Sequence, residues 1–257
     1  MPDVNARDPR SSSVPAVHRA FAVLDLVAGR REPQPLHAIS RDLSLPRSST
    51  LAICRALVAE DALRQDGDGR YLIGPRLVRL AHRYGGEIDL ASAFSRAVDG
   101  LKDLRWTLQL AERTGREVIY LARRDGAQPL SLVSVTGRPL PASTTAVGKA
   151  TLIRASDEEL LRLYPRDDLL PSLTPASIPS LDVLRSELAA ARTAGYTVDR
   201  GETMLGVVAA AAPVFIEGRD APVAAISATT VDIGGGVSLE ALAQVALSTA
   251  AAMSALL

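Results

Sequence analysis

The chain has 257 residues, 47% of them hydrophobic, which is enough material for two buried cores and implies two domains. Its formal net charge is zero, but residues 1–85 hold 13 Arg against 9 Asp and Glu, while residues 86–257 hold 16 Lys and Arg against 20 acids. The overall neutrality therefore does not exclude nucleic acid, because a basic N-terminal third that uses arginine alone is suited to face phosphate.

Residues 1–13, rich in Pro, Arg and Ser, read as a disordered tail. A helix follows over 14–27, with Val17, Ala20, Phe21, Leu24 and Val27 assigned to one face and Gly29 as its stop. Leu36, Ile39 and Leu43 recur at helical spacing, and Ser44-Leu45-Pro46 breaks the pattern. Another helix starts at Arg47, with Ser48, Ser49 and Thr50 in its first turn. Ile53, Cys54, Leu57 and Val58 form its apolar side, and Ser48, Ala52 and Arg55 share a different side. Residues 63–73 then read as two short strands around Asp66-Gly67-Asp68-Gly69. Helix, tight turn, helix and β-ribbon outline a winged helix-turn-helix over 14–74, a module that places one helix in the DNA major groove. Pro75 opens a linker helix, 75–90, carrying Leu77, Val78, Leu80 and Ala81 and approaching Gly85-Gly86.

The remaining residues, 91–257, alternate strands and helices. Runs 106–111 and 117–123 form a hairpin turning at Gly115, and 130–135 reads as a third strand. A helix over 146–155 is followed by Ser156-Asp157-Glu158-Glu159, which opens another in capping-box fashion. Residues 180–194 form a helix stopped by Gly195. Strands at 196–199, 207–216 and 223–230 come next, the last two joined through Glu217-Gly218-Arg219-Asp220, and an alanine-rich helix over 238–257 closes the chain. Hairpin-linked strands with intervening helices point to the α+β class and an antiparallel sheet rather than a doubly wound parallel one.

Candidates for chemistry are few. Cys54 is the sole cysteine, so no internal disulfide forms, and its place between Ile53 and Leu57 makes it a small core residue. His18, His37 and His82 lack metal-ligand spacing, so neither a metal nor a cofactor is expected. The nearest approach to a membrane span, 207–216, has only strand length and contains Pro213, and the N-terminus lacks a signal peptide's apolar core. A cytoplasmic protein with no membrane partner is expected. Ser143, Thr144 and Thr145 near Lys149 permit a serine–lysine pair to be drawn, but no histidine lies beyond residue 82 and no Gly-x-Ser-x-Gly elbow is present. The alternative is a loop whose hydroxyls and amides bind an anion, so no enzyme is expected. Asp199 is suited either to orient a ligand hydroxyl or to cap a turn. Ser227 and Thr229 share one strand face and need partners, either backbone or a ligand.

With these motifs in order, the chain resembles the IclR-type transcriptional regulators. The resemblance rests on Leu45-Pro46-Arg47-Ser48-Ser49, Gly69-Arg70-Tyr71-Leu72-Ile73-Gly74-Pro75-Arg76-Leu77, Gly137-Arg138-Pro139-Leu140-Pro141, Thr145-Ala146-Val147-Gly148-Lys149-Ala150, Leu173-Thr174-Pro175, Gly195-Tyr196-Thr197-Val198-Asp199, and the run from Gly206-Val207 to Pro213-Val214. It implies a winged helix-turn-helix followed by a GAF-like sensor domain that binds a small organic acid, aromatic acids included. The resemblance places DNA contacts at Arg47, Ser48, Ser49, Thr50, Ala52 and Arg55, with Arg64 and Arg70 on the wing. It places the effector pocket at Leu140, Ala146, Val147, Gly148, Asp199, Ala209, Ser227 and Thr229, with a ligand carboxylate on amides near 146–148. Ala52 stands where the family often has a basic residue, Val208 and Ala209 where it often has arginine and cysteine, and the acidic cluster after Asp199 is thinned. Those departures imply a larger and more apolar ligand than a short keto acid. The expected partners are a near-palindromic double-stranded operator and a second copy of the chain, as a homodimer or a dimer of dimers. The competing reading is a small-molecule-binding module that uses its winged helix to dock a protein.

Overall fold

The computed structural model describes residues 14–30, 32–82, 89–127, 139–232, 234 and 236–257. The expected tail at 1–13, the strand at 130–135, the Gly85-Gly86 stretch and the Gly137-Arg138 pair lie outside the described residues. Two compact units divide between residues 86 and 87.

In the first unit, α1 (Pro15–Ala28), α2 (Leu36–Asp42) and α3 (Arg47–Ala59) are followed by a ribbon of β1 (Leu63–Gln65) and β2 (Tyr71–Ile73), then α4 (Pro75–His82). Strands β1 and β2 pair antiparallel, with Arg64 opposite Leu72. The core joins Val23, Leu24 and Val27 of α1 to Ile39, Cys54, Leu63 and Tyr71. The expected apolar face of α1 is therefore rotated: Val17 and Phe21 are exposed, and Val23 replaces them inside. Helix α1 is apolar on several sides, so spacing alone does not choose its buried face. The α2–α3 turn bends at Ser44, whose φ of 52° is left-handed. Ser40 Oγ donates to Leu45 O at 2.6 Å and closes that turn.

In the second unit, six antiparallel strands run in the order β5-β4-β3-β8-β7-β6. They are β3 (Thr107–Thr114), β4 (Glu117–Arg124), β5 (Pro139–Pro141), β6 (Thr197–Arg200), β7 (Val207–Val214) and β8 (Ala224–Val231). Alternation along the strands splits two cores. Leu108, Leu110, Ala210, Ala212 and Ile226 pack with α5 (Leu90–Asp99) and α9 (Leu239–Ser254). Ala111, Tyr120, Ala209, Ala211 and Ala225 pack on the other face with α6 (Ala146–Thr151), α7 (Asp157–Leu163) and α8 (Leu181–Ala194). Helix α5 is absent from the expected elements, although Asp89 caps it by accepting from Ser92 N at 3.0 Å. Ser156 and Ser180 cap α7 and α8 in the same way, and α8 ends at Gly195 with φ 81°.

Candidate DNA interface and ligand pocket

Helix α3 turns Cys54 and Thr50 inward and leaves Arg47, Ser48, Ala52, Arg55 and Ala56 exposed. Burial pushes the Cys54 thiol up to about 11, which suits a packing role and not a redox one. Small residues between Arg47 and Arg55 leave room for a duplex to come close to the helix. No side chain caps the start of α3, where Pro46 stands, so its first-turn amides remain open toward an anion. Arg47, Arg55 and Arg64 form no ion pair among the described residues and carry undivided charge at this surface.

Two of the expected contacts are also tied within this unit. Thr50 is fully buried and its Oγ1 donates to Pro46 O at 3.1 Å, so it shapes the helix start and does not face outward. Arg70 is engaged within the wing, its Nε 2.9 Å from Asp66 Oδ2 and its Nη2 2.8 Å from Asp68 Oδ2. Backbone amides of Arg70 and Asp68 also donate to Asp66, holding that carboxyl below its ordinary range. Ser49 is half-buried.

The pocket of the second unit follows from strand register. Asp199 pairs with Ala209 and Ala209 with Thr229; one row along, Thr197 pairs with Ala211, Ala211 with Ser227 and Ser227 with Gln109. Two alanines set between polar neighbours leave a recess in the sheet face. Leu140, Ala146 and Val147 close over it, and Tyr120, Thr145, Thr203 and Val207 complete a narrow lining. Thr229 Oγ1 lies 3.3 Å from Gln109 Oε1 and 3.2 Å from Ser227 Oγ, a connected polar floor. Gln109 and Tyr120 escape the sequence reading, although a glutamine between two leucines on a β-run marks a polar position on an otherwise buried face. Thr203 sits in a loop without periodicity and gives no such signal.

Gly148, also expected at the pocket, is tied into the start of α6. Its amide donates to Thr145 Oγ1 at 3.1 Å, so it is not offered to a ligand. A side chain there would run into the Ala142 carbonyl, so glycine serves close packing. Asp199 is buried, and desolvation holds its carboxyl above the ordinary range despite the amides of Glu202 at 2.7 Å and Thr203 at 3.4 Å on Oδ1. Burial, with Asp199 nearby, likewise raises the Tyr120 phenol. Among the described residues the lining holds no lysine, arginine or histidine. Lys149 does not pair with Ser143 but directs its ammonium to Glu202 and Glu187. The site thus meets a ligand with hydroxyls, an amide and one carboxyl group.

An open arginine-edged helix in a winged helix-turn-helix, in a chain that also carries an α+β unit with a small polar pocket, defines a DNA-binding regulator with a ligand-sensing domain. The IclR helix-turn-helix domain model matches residues 16–67, and the model of the bacterial transcriptional regulator IclR C-terminal domain matches 82–254. The chain belongs to the IclR family of transcriptional regulators. It is 29% identical over 213 residues to the HTH-type transcriptional regulator XynR of Escherichia coli, covering 79% of this chain and 81% of that one. It is 28% identical over 214 residues to the HTH-type transcriptional repressor AllR of Salmonella typhimurium, covering 82% and 78%. Among solved structures, the Agobacterium tumefaciens repressor BlcR matches with a TM-score of 0.59 and 30% identity over 94% of this chain and 96% of that one. An IclR homologue complexed with 4-hydroxybenzoate from Microbacterium hydrocarbonoxydans shares the fold with a TM-score of 0.79 and 24% identity, over 93% and 98%.

Proposed function

We propose that two copies of this chain bind a near-palindromic operator through Arg47, Ser48, Ser49, Ala52 and Arg55 of α3, with Arg64 supporting from the wing. A small organic acid in the pocket around Asp199 sets the affinity for DNA. The observation that carries this reading is the uncapped, exposed face of α3, where Arg47 and Arg55 form no ion pair among the described residues. Exposed Val14, Val17 and Phe21 recur at helical spacing from the cap along one side of α1, and this uncovered apolar stripe, with exposed Val78 and Leu80 of α4, supports a second copy as partner. The fold shared with the 4-hydroxybenzoate-bound homologue supports an aromatic acid as the first ligand to try.

Among the described residues the lining holds no cation, so a carboxylate beside Asp199 is best met with a proton between the two groups. Asp199 with its raised pKa supplies it, so acid binding tightens as pH falls and Asp199→Asn removes that dependence. Fluorescence anisotropy on duplexes from the DNA flanking the gene tests the whole reading. Affinity should fall with salt at a log–log slope near −0.9 per neutralised phosphate, and 4-hydroxybenzoate or another acid from an aromatic and aliphatic panel should shift it. Binding indifferent to salt would favour protein docking. An acid that raises the melting temperature yet leaves DNA affinity unchanged would remove effector control.

A further inference from the structure

Lys149 is buried to 1% exposure and sits in α6 beside the pocket residues Ala146 and Val147, yet it does not line the pocket. Its Nζ donates to both carboxylate oxygens of Glu202, at 2.7 and 2.8 Å, and to Glu187 of α8 at 2.8 Å. The backbone amide of the same Glu202 donates to Asp199 Oδ1 at 2.7 Å, and Thr203, next in the chain, is a pocket wall whose Oγ1 donates to Thr144 O at 2.8 Å. A single ammonium thus ties helix α6, helix α8 and the loop after β6. Buried ion pairs are often no more stabilising than apolar residues of equal size, so their use points to registry. Two carboxyl groups, buried Glu202 and partly exposed Glu187, share this one ammonium.

We propose that Lys149 is a positioning residue of the effector pocket, which by gripping the Glu202 side chain holds that residue's amide on Asp199 and so fixes the Asp199 carboxylate and the Thr203 wall. This rests on the reading of that pocket as the effector site. Thr174 Oγ1 donates to Gly201 O at 2.7 Å and Ser177 Oγ to Glu202 O at 2.8 Å, which holds the loop backbone, whereas Lys149 holds the Glu202 side chain.

Backbone amide exchange and proton shifts, followed by NMR on the full chain without ligand, read that hold directly. Lys149→Met leaves Glu202 buried and unpaired and is liable to unfold, so the deciding variant is Lys149→Met with Glu202→Gln, which removes both charges. At positions 202 and 203, amide exchange should quicken by about tenfold or more, and the amide proton of 202 should move upfield as its bond to Asp199 loosens; Ala210 and Ala228 in the β7–β8 pair should stay within about twofold. Wild-type exchange and shift at 202 and 203 would overturn the proposal. So would an equal rise at all amides, which would make Lys149 a residue of general stability. Ala209→Leu, which fills the recess, judges the underlying pocket separately: if an acid still shifts DNA affinity equally well in that variant, the effector-site reading fails, whatever the exchange data say of Lys149.

Discussion

Gly148 and Glu202 are single residues on which the second unit's packing turns. Gly148→Ala would drive a methyl group into the Ala142 carbonyl, and either α6 or the 141–145 segment has to move. A loss of about 1–3 kcal/mol in urea unfolding is expected, as for other overpacked sites, and a change below about 0.5 kcal/mol would contradict the close approach. Glu202 is pushed up to about 7, chiefly by desolvation, with Asp199 and Glu187 adding to the rise and Lys149 opposing it. A carboxyl whose folded pKa exceeds its unfolded value near 4.5 holds its proton longer in the folded chain. Its contribution is complete below pH 4.5 and is lost as pH rises toward about 7, so stability should decline across that window. Glu202→Gln should flatten this part of the profile in thermal melts, and an unchanged slope would assign it to other groups. Lys149 itself is conspicuous in sequence only as a cation near hydroxyls. Its true partners lie 38 and 53 residues away, which local spacing cannot reveal.

At the scale of elements, α3 and the wing make opposite demands on arginine. Arg47→Ala removes a cation that forms no ion pair among the described residues and should weaken operator binding by about 1–3 kcal/mol if it reads a base edge. Arg64→Ala should lower the salt slope by roughly one unit if it meets phosphate. Arg70→Ala should leave that slope nearly unchanged, because its guanidinium is already closed on Asp66 and Asp68. Equal effects of the Arg64 and Arg70 variants in a salt titration would contradict this division. Helix starts marked by a hydroxyl, such as Ser156 and Ser180, are legible in sequence because the capping chemistry is local. The face of α1 is not, since Val17 and Phe21 look as apolar as Val23 and Leu24 and only tertiary packing separates them. Helix α5 is passed over although Asp89, Leu90, Phe94 and Val98 carry both cap and stripe.

For the molecule as a whole, the division of charge matters more than its sum. Thirteen arginines among residues 1–85 and an excess of acids beyond them concentrate attraction for phosphate on the unit that carries α3. Seven of the expected pocket residues line one recess, because strands β6, β7, β8 and β3 register Asp199, Ala209, Thr229, Ser227 and Gln109 side by side. That register is set by alternation and is partly legible in sequence; the Thr203 wall depends on a loop and is not. A helix reading one major groove covers few base pairs, so two copies are needed for a selective site. The most direct test is selection by the full chain from a pool of random duplexes. Recovery of a near-palindrome with half-sites ~34 Å apart, or a multiple, is expected, together with its loss in an Arg47→Ala, Arg55→Ala variant that melts like the parent. No enriched sequence, or the same sequence bound equally well by that variant, would contradict the assignment of α3 as the reading helix.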